Sequence, residues 1–167
     1  MESSVSSWTE RVNRAATTLP QGPVYSSWFE VAQRDMDLYM ESVHDTDPTH
    51  LDADWCKTHT PYGGPIAAGM WVASMLVAML HDSKVFEKAQ QELGIDFGLN
   101  YGYDRFRFIR PVPIGTRIRG RFDHARLTVE GENQALFRMH ATVELPDGEG
   151  PAVVADWIGA FLKPEEI

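Results

Sequence analysis

Asp45 and His50 are the two side chains in this sequence whose types and spacing best suit chemistry on a small molecule. They stand five apart in "HDTDPTHLD", residues 44–52, on either side of Pro48. A carboxylate and an imidazole sharing one water form a general acid/base pair, with a contribution of roughly 100- to 10,000-fold where geometry and pKa suit. Burial against an apolar wall would raise the carboxylate's pKa and make it a stronger base, and the histidine would bring its own proton. Two other readings fit the same residues. Asp45 or Asp52 suits a capping turn that satisfies backbone donors after a helix, and spacing alone favours this. His44, Asp45, Asp47, His50 and Asp52 are all possible metal ligands, but their spacing is not diagnostic in the way H-E-x-x-H is, and no metal is expected.

A second half of a site follows in "TPYGGPIAAGM", residues 60–70. If a helix begins at Gly69, its first turn has N–H groups without intrahelical partners and a dipole that favours negative charge, so an oxyanion could sit there. Gly69 has no side chain to bar a ligand from its N–H, and Gly63 and Gly64 permit tight turns nearby. On the residues alone, glycines that merely turn the chain or let a helix pack closely are the simpler reading.

These residues need elements to position them. "QRDMDLYMESV", residues 33–43, places Met36, Tyr39, Met40 and Val43 at the i, i+3, i+4, i+7 spacing of one helix face. The spacing predicts an amphipathic helix leading into the polar cluster. Pro48 removes a backbone donor and disfavours helix just before it, so residues 44–52 are expected as a loop. The apolar run 65–80 is sixteen residues long, short of the roughly twenty that a membrane span needs. With "GMWVASMLVAML" apolar on every face, it reads as a helix enclosed by protein. Further on, "IDFGLNYG", "DRFRFIRPV", "GTRIRGRFDHARLTV", "ALFRMHATVEL" and "AVVADWIGAFL" are rich in branched and aromatic residues and separated by turn signals. They predict about five strands. A sheet with one apolar face and a helix that is apolar all round solve each other's burial problem. The expected fold is therefore α+β, an antiparallel sheet curled round a long central helix.

At 167 residues, one domain is the default. Residues 1–24 read as a loosely docked N-terminal extension, because Pro20, Gly22 and Pro23 stop any helix begun at Trp8, and residues 25–167 form the domain. The net charge of −9 argues against nucleic acid, since neutralising phosphates needs a basic surface. The N-terminus lacks the basic start and apolar core of a secretory signal, and the single cysteine, Cys56, cannot form an internal disulfide. A reducing, cytoplasmic setting without membrane association is expected.

Taken together, the motifs resemble the MaoC-like dehydratase family of (R)-specific enoyl-CoA hydratases, in the branch similar to nodulation protein N. "HDTDPTHLD" and "PIAAGM" match that family's G-D-x-N-P-x-H-x-D followed by P-I-A-H-G-[MF]. "SSWFEVAQRDMDLYMESVHD" looks like its lead-in, and "LNYGYDRFRFIRPVPIGTRIRGRF" like its N-Y-G-x-[DN]-[KR]-[VF]-R-F-x-x-P-V-P segment. The likeness spans about residues 25–162, and several motifs in order are more specific than any one. It implies a hot-dog fold and reverses the preference for capping turns. By the likeness, Asp45 and His50 are the catalytic pair and Gly69 the oxyanion donor.

The implied activity is reversible addition of water to the 2,3 double bond of an enoyl-CoA, giving an (R)-3-hydroxyacyl-CoA in fatty-acid-type metabolism. The acyl-CoA is the substrate, no cofactor is needed, and the usual form is a homodimer joined edge to edge. A thioesterase of the same fold and a non-catalytic thioester binder are the alternatives. Asn100, Tyr101, Arg107, Gly64 and Tyr62 are the substrate-binding candidates. Arginines 105, 107, 110, 117, 119 and 121 are candidates for CoA phosphates or the dimer surface. Trp71, Met75, Met79, Tyr62 and Tyr101 are expected to set pocket depth. Three positions depart from the pattern: His44 stands for the glycine, Asp47 for the asparagine and Ala68 for the histidine. Asp47 beside Asp45 would raise the pair's pKa values, and Ala68 would leave the helix start less ordered.

Overall fold

The computed structural model describes residues 7–146 and 148–164. The order of elements is α1 (Trp8–Ala16), β1 (Val24–Tyr25), β2 (Phe29–Glu30), α2 (Gln33–Val43), α3 (Pro48–Leu51), α4 (Ala53–His59), α5 (Gly69–Ser83), α6 (Glu87–Leu93), β3 (Leu99–Phe108), β4 (Arg117–Glu130), β5 (Gln134–Glu144) and β6 (Pro151–Leu162). One antiparallel sheet runs in the order β1-β4-β5-β6-β3, with β2 also paired to β4.

The long strands alternate. In β5, Ala135, Phe137, Met139, Ala141 and Val143 are buried while Arg138 is exposed, which is the pattern of a sheet packed on one face. The inward side chains meet α5, whose Trp71, Val72, Leu76 and Met79 are buried in the same core. The expected antiparallel sheet curled round a central helix is the observed architecture. Gly159 shows how tightly side chains fill this face of the sheet: an added Cβ would lie 1.8 Å from the ring of Phe137, its partner across the β5–β6 ladder.

Four expectations are corrected. The two strands read from residues 95–102 and 104–112 are one strand, β3, whose register shifts between Asn100 and Gly102 and between Asp104 and Arg107; β1 and β2 bring the sheet to six strands. Two-residue strands carry too little periodicity to be seen in sequence.

Residues 44–52 are not all loop. Pro48 opens the short helix α3, with Asp47 accepting from the Thr49 N–H at 2.8 Å. Proline at the first helical position loses no hydrogen bond, because that N–H has no partner in the helix.

From Ser7 onward the N-terminal segment is not loosely docked, and residues 1–6 of the expected extension lie outside the described residues. α1 is capped by Ser7 and Glu10 in a reciprocal box. Its Trp8, Val12 and Ala15, with Leu19 beyond it, are buried in the main core. Arg14 Nε reaches Glu92 at 2.7 Å, and Arg11 donates to the Leu93 carbonyl on α6. Stopping a helix at Pro20 does not prevent its apolar face from packing.

Finally, α5 is not enclosed on every side within one chain. Met70, Ser74 and Ala78, spaced four apart, form an exposed stripe, with Met70 61% exposed. Among the described residues no helix is long and apolar enough to cross a membrane.

Candidate active site

α2 ends at His44, which adopts the left-handed conformation with φ 56°. This reverses the chain and lets Asp45 N–H bond back to the Met40 carbonyl at 3.0 Å, the hydrogen bonding of a helix C-terminal motif. The family pattern has glycine here, and the geometry says why. Asp45 Oδ1 then accepts from the Asp47 N–H at 3.0 Å, which leaves its other oxygen outside the turn.

His50 sits in α3 and is held from two directions. Its Nδ1 lies 2.8 Å from the Ile66 carbonyl oxygen. A carbonyl only accepts, so Nδ1 carries the proton and Nε2 presents a lone pair. The His50 carbonyl accepts from Gln33 Nε2 at 2.8 Å, and Gln33 also bonds Asp37 at 2.9 Å. Behind α3, buried Cys56 points its thiol at the carbonyls of Pro48 and Thr49. Burial and then the charges of Asp52 and Asp47 push that thiol up from its ordinary range, so it is a packing group rather than a nucleophile.

Backbone bonds tie the pair to the start of α5. Ile66 N–H donates to the Thr49 carbonyl at 3.2 Å and Ala67 N–H to the Val112 carbonyl at 2.8 Å, while Ile114 N–H donates to Pro65 at 3.1 Å. The strip 65–67 is thus clamped between α3 and the segment after β3, and Gly69 follows two residues later. The Gly69 N–H, first in α5, has no carbonyl a turn earlier in the helix to bond. A Cβ at position 69 would come within 2.8 Å of the Phe108 ring, so glycine here serves packing as well as access. Ala68 gives α5 no side-chain cap; its N–H instead meets Met36 Sδ at 3.3 Å.

A cavity of about 550 Å³ collects Asp45, His50 and Gly69 on one surface, with Tyr39, Tyr62 and Arg110 among its lining. Asp45 is exposed in the single chain and His50 half-buried, so the burial expected for the carboxylate is not found within this chain. The capping reading holds for the neighbouring acids: Asp52 accepts from Asp54 and Trp55 N–H groups at 3.0 and 2.9 Å. The Asp47 carboxyl pKa is lowered rather than raised. The Thr49 N–H, then the Thr49 hydroxyl, hold its carboxyl below the usual range against slight desolvation, with His50 adding a small further pull.

Of the substrate-binding candidates, Tyr62 lines the cavity. Gly64, Asn100, Tyr101 and Arg107 lie outside its lining in the single chain. Asn100 accepts from Trp157 Nε1 at 2.9 Å and borders a second cavity of about 260 Å³ at the far end of α5. Tyr101 is 68% exposed on β3, and Arg107 donates to its neighbour's carbonyl, Phe106 O, at 2.7 Å. Trp71, Met75 and Met79 are outside this cavity, and Met70 and Val72 face it instead. Gln33, Ile66 and Phe108 were not singled out in sequence, because their roles rest on a carbonyl, an amide and a ring edge that no motif encodes. Arg110, one of six arginines noted, lines the cavity and lies 3.8 Å from Glu149.

An antiparallel sheet wrapped on a long helix is the hot-dog fold, and here an aspartate and a histidine lie with that helix's amino end on one cavity. The chain belongs to the MaoC-like family: the MaoC like domain matches residues 14–144. It is 35% identical over 135 residues to Nodulation protein N of Rhizobium leguminosarum bv. viciae, covering 80% of each chain. To 3-hydroxyacyl-thioester dehydratase Z of Mycobacterium tuberculosis it is 26% identical over 137 residues, 82% of this chain and 86% of that one. The (R)-hydratase from A. caviae involved in PHA biosynthesis superposes with a TM-score of 0.64 at 20% identity, covering 86% of this chain and 98% of the other. That likeness concerns the fold.

Proposed function

We propose that this protein is a hydratase/dehydratase that adds water reversibly to the 2,3 double bond of an enoyl thioester, an enoyl-CoA, to give the (R)-3-hydroxyacyl product. The observation that carries the reading is the convergence of Asp45, His50 and the amino end of α5 on one cavity, with His50 Nδ1 engaged by the Ile66 carbonyl and Nε2 left for a ligand. His50 Nε2 accepts a hydrogen bond from the reacting water and orients it. Asp45 takes a proton as the water oxygen bonds to C3. The C2–C3 π electrons move toward the thioester, whose oxygen gains charge beside the Gly69 N–H. A proton passes from the Asp45/His50 pair to C2, which regenerates the pair with one water added. One such N–H donor contributes about 3 kcal/mol in comparable sites.

The dimer is part of the proposal. β3 is an edge strand, and Leu99, Tyr101, Tyr103 and Phe108 leave it apolar and exposed, as is the Met70 stripe of α5. Unpaired edges of this kind seek a second strand. A second copy would cover this face and supply the desolvation that Asp45 lacks.

The test is turnover of crotonyl-CoA and longer or ring-bearing enoyl-CoAs. Wild type consumes enoyl-thioester absorbance without freeing thiol, and Asp45→Asn and His50→Ala lower kcat by roughly 100- to 10,000-fold. Release of free CoA thiol would instead make it a thioesterase. Binding without turnover, unchanged by Asp45→Asn, would make it a thioester binder.

A further inference from the structure

The sheet's outer face, turned away from α5, carries an arrangement that the hydration site does not use. Of the four non-glycine residues with positive φ among the described residues, two are Arg105 (φ 49°) and His124 (φ 53°). Each lies inside a register shift, in β3 between Asp104 and Arg107 and in β4 between Asp123 and Arg126. A bulge re-aims the side chain it carries, and both bulges aim at one place. Arg105, His124, Arg126, Arg138 and His140 line a single open groove of about 800 Å³.

Within this groove Arg126 stands directly opposite Arg138 across the β4–β5 ladder. Like charges in that position repel and destabilise a sheet. The nearby carboxylates are already engaged. Asp156 accepts from Arg105 and, at 3.1 Å, from His140. Asp123 takes Arg121 at 2.6 Å and the His124 N–H at 2.9 Å. Among the described residues Arg138 bonds only a neutral hydroxyl, Thr128 Oγ1, at 3.3 Å, and Arg126 has no ion pair. A chain of net charge −9 thus places two uncompensated guanidiniums side by side on exposed strand positions.

We propose that this groove is a binding site for a phosphate-bearing small ligand, gripped between Arg126 and Arg138 with His124 and Arg105 at its rim. Guanidinium forks match phosphate oxygens in pairs, and a phosphate between the two arginines turns the cross-strand repulsion into attraction. The site lies on the opposite side of the sheet from Asp45 and His50 and works independently of them.

Inorganic pyrophosphate is the probe, added to the full chain at constant ionic strength and compared with sodium chloride. Pyrophosphate raises the wild-type thermal midpoint by ~2–4 °C. Arg138→Gln and Arg126→Gln unfold at or above the wild-type midpoint without pyrophosphate, because the repulsion is relieved, and pyrophosphate shifts neither. Hydratase turnover in both variants stays as in wild type. No midpoint shift in wild type, or the same shift in the variants, overturns the site. Backbone amide spectra of wild type give a second measurement that needs no variant. Perturbation by pyrophosphate centred on residues 124–128 and 138–140 supports the groove, and perturbation elsewhere or none rejects it.

Discussion

His44 holds a left-handed backbone conformation that glycine adopts without strain and that costs other residues on the order of 1 kcal/mol. His44→Gly is therefore expected to stabilise the protein by about 0.5–1 kcal/mol, part of the gain being offset by the greater freedom of glycine in the unfolded chain. Urea unfolding checks it, and a lower midpoint would mean that the imidazole has a stabilising role of its own. Asp47 makes a second prediction. Its folded pKa is depressed from the ordinary 3.8, so its cap stabilises fully above that value and weakens as pH falls through the lowered one. Asparagine caps as well without titrating. Asp47→Asn should leave stability near neutral pH within about 0.5 kcal/mol and remove this part of the acid-side decline, as urea midpoints measured from about pH 6 to pH 2.5 would show. A decline as steep as in wild type would assign the acid sensitivity to other groups, Asp156 foremost. There burial opposes, but hydrogen bonds and charge from His140 and Arg105 still depress the carboxyl.

At the scale of elements, β5 and β6 pack so closely that one methyl decides whether the side chains across their ladder fit. An alanine at 159 would drive its Cβ into the Phe137 ring, which itself packs against Phe86 and Phe161 at ring separations of 4.6 and 4.9 Å. Overpacking of this kind costs about 1–3 kcal/mol, and the backbone-proximal clash puts Gly159→Ala at the upper end. Phe137→Leu in the same chain should recover part of the loss, and calorimetric midpoints of the single and double variants measure it. If the single variant melted with wild type, the ring would be free to move. The site depends on elements in the same way. His50 is oriented by a carbonyl sixteen residues later and by a glutamine seventeen residues earlier. Gln33→Ala is expected to lower kcat while leaving KM nearly unchanged, because Gln33 acts through His50 and is not itself among the residues lining the cavity.

The whole molecule poses the question of what covers β3 and the Met70 stripe. If a second copy does, the protein sediments at twice its 18.8 kDa. Tyr101→Lys, which places a charge on the exposed edge, then yields a monomer with hydratase activity reduced at least tenfold, since lysine blocks strand addition. Analytical ultracentrifugation of both forms decides, and a variant that stays dimeric would move the contact elsewhere.

Residues 33–43 and the apolar run after residue 68 were legible as helices because each carries a 3.6-residue apolar period or an unbroken apolar surface long enough to count. The ordered motifs around Asp45, His50 and Gly69 were legible because several short patterns stand in the order and spacing of a known family. Asp52 was legible as a cap from its place in a short polar stretch after a helix, whereas the cap that Asp47 makes was not read from the sequence. What tertiary structure alone decided has a common physical character. The union of two strands into β3, the docking of α1, the Ile66 carbonyl that sets the His50 tautomer, and the Phe108 ring against Gly69 all depend on contacts between distant segments. Such contacts use backbone groups and shapes that every residue possesses, so side-chain identity along the chain leaves no mark of them until the chain folds.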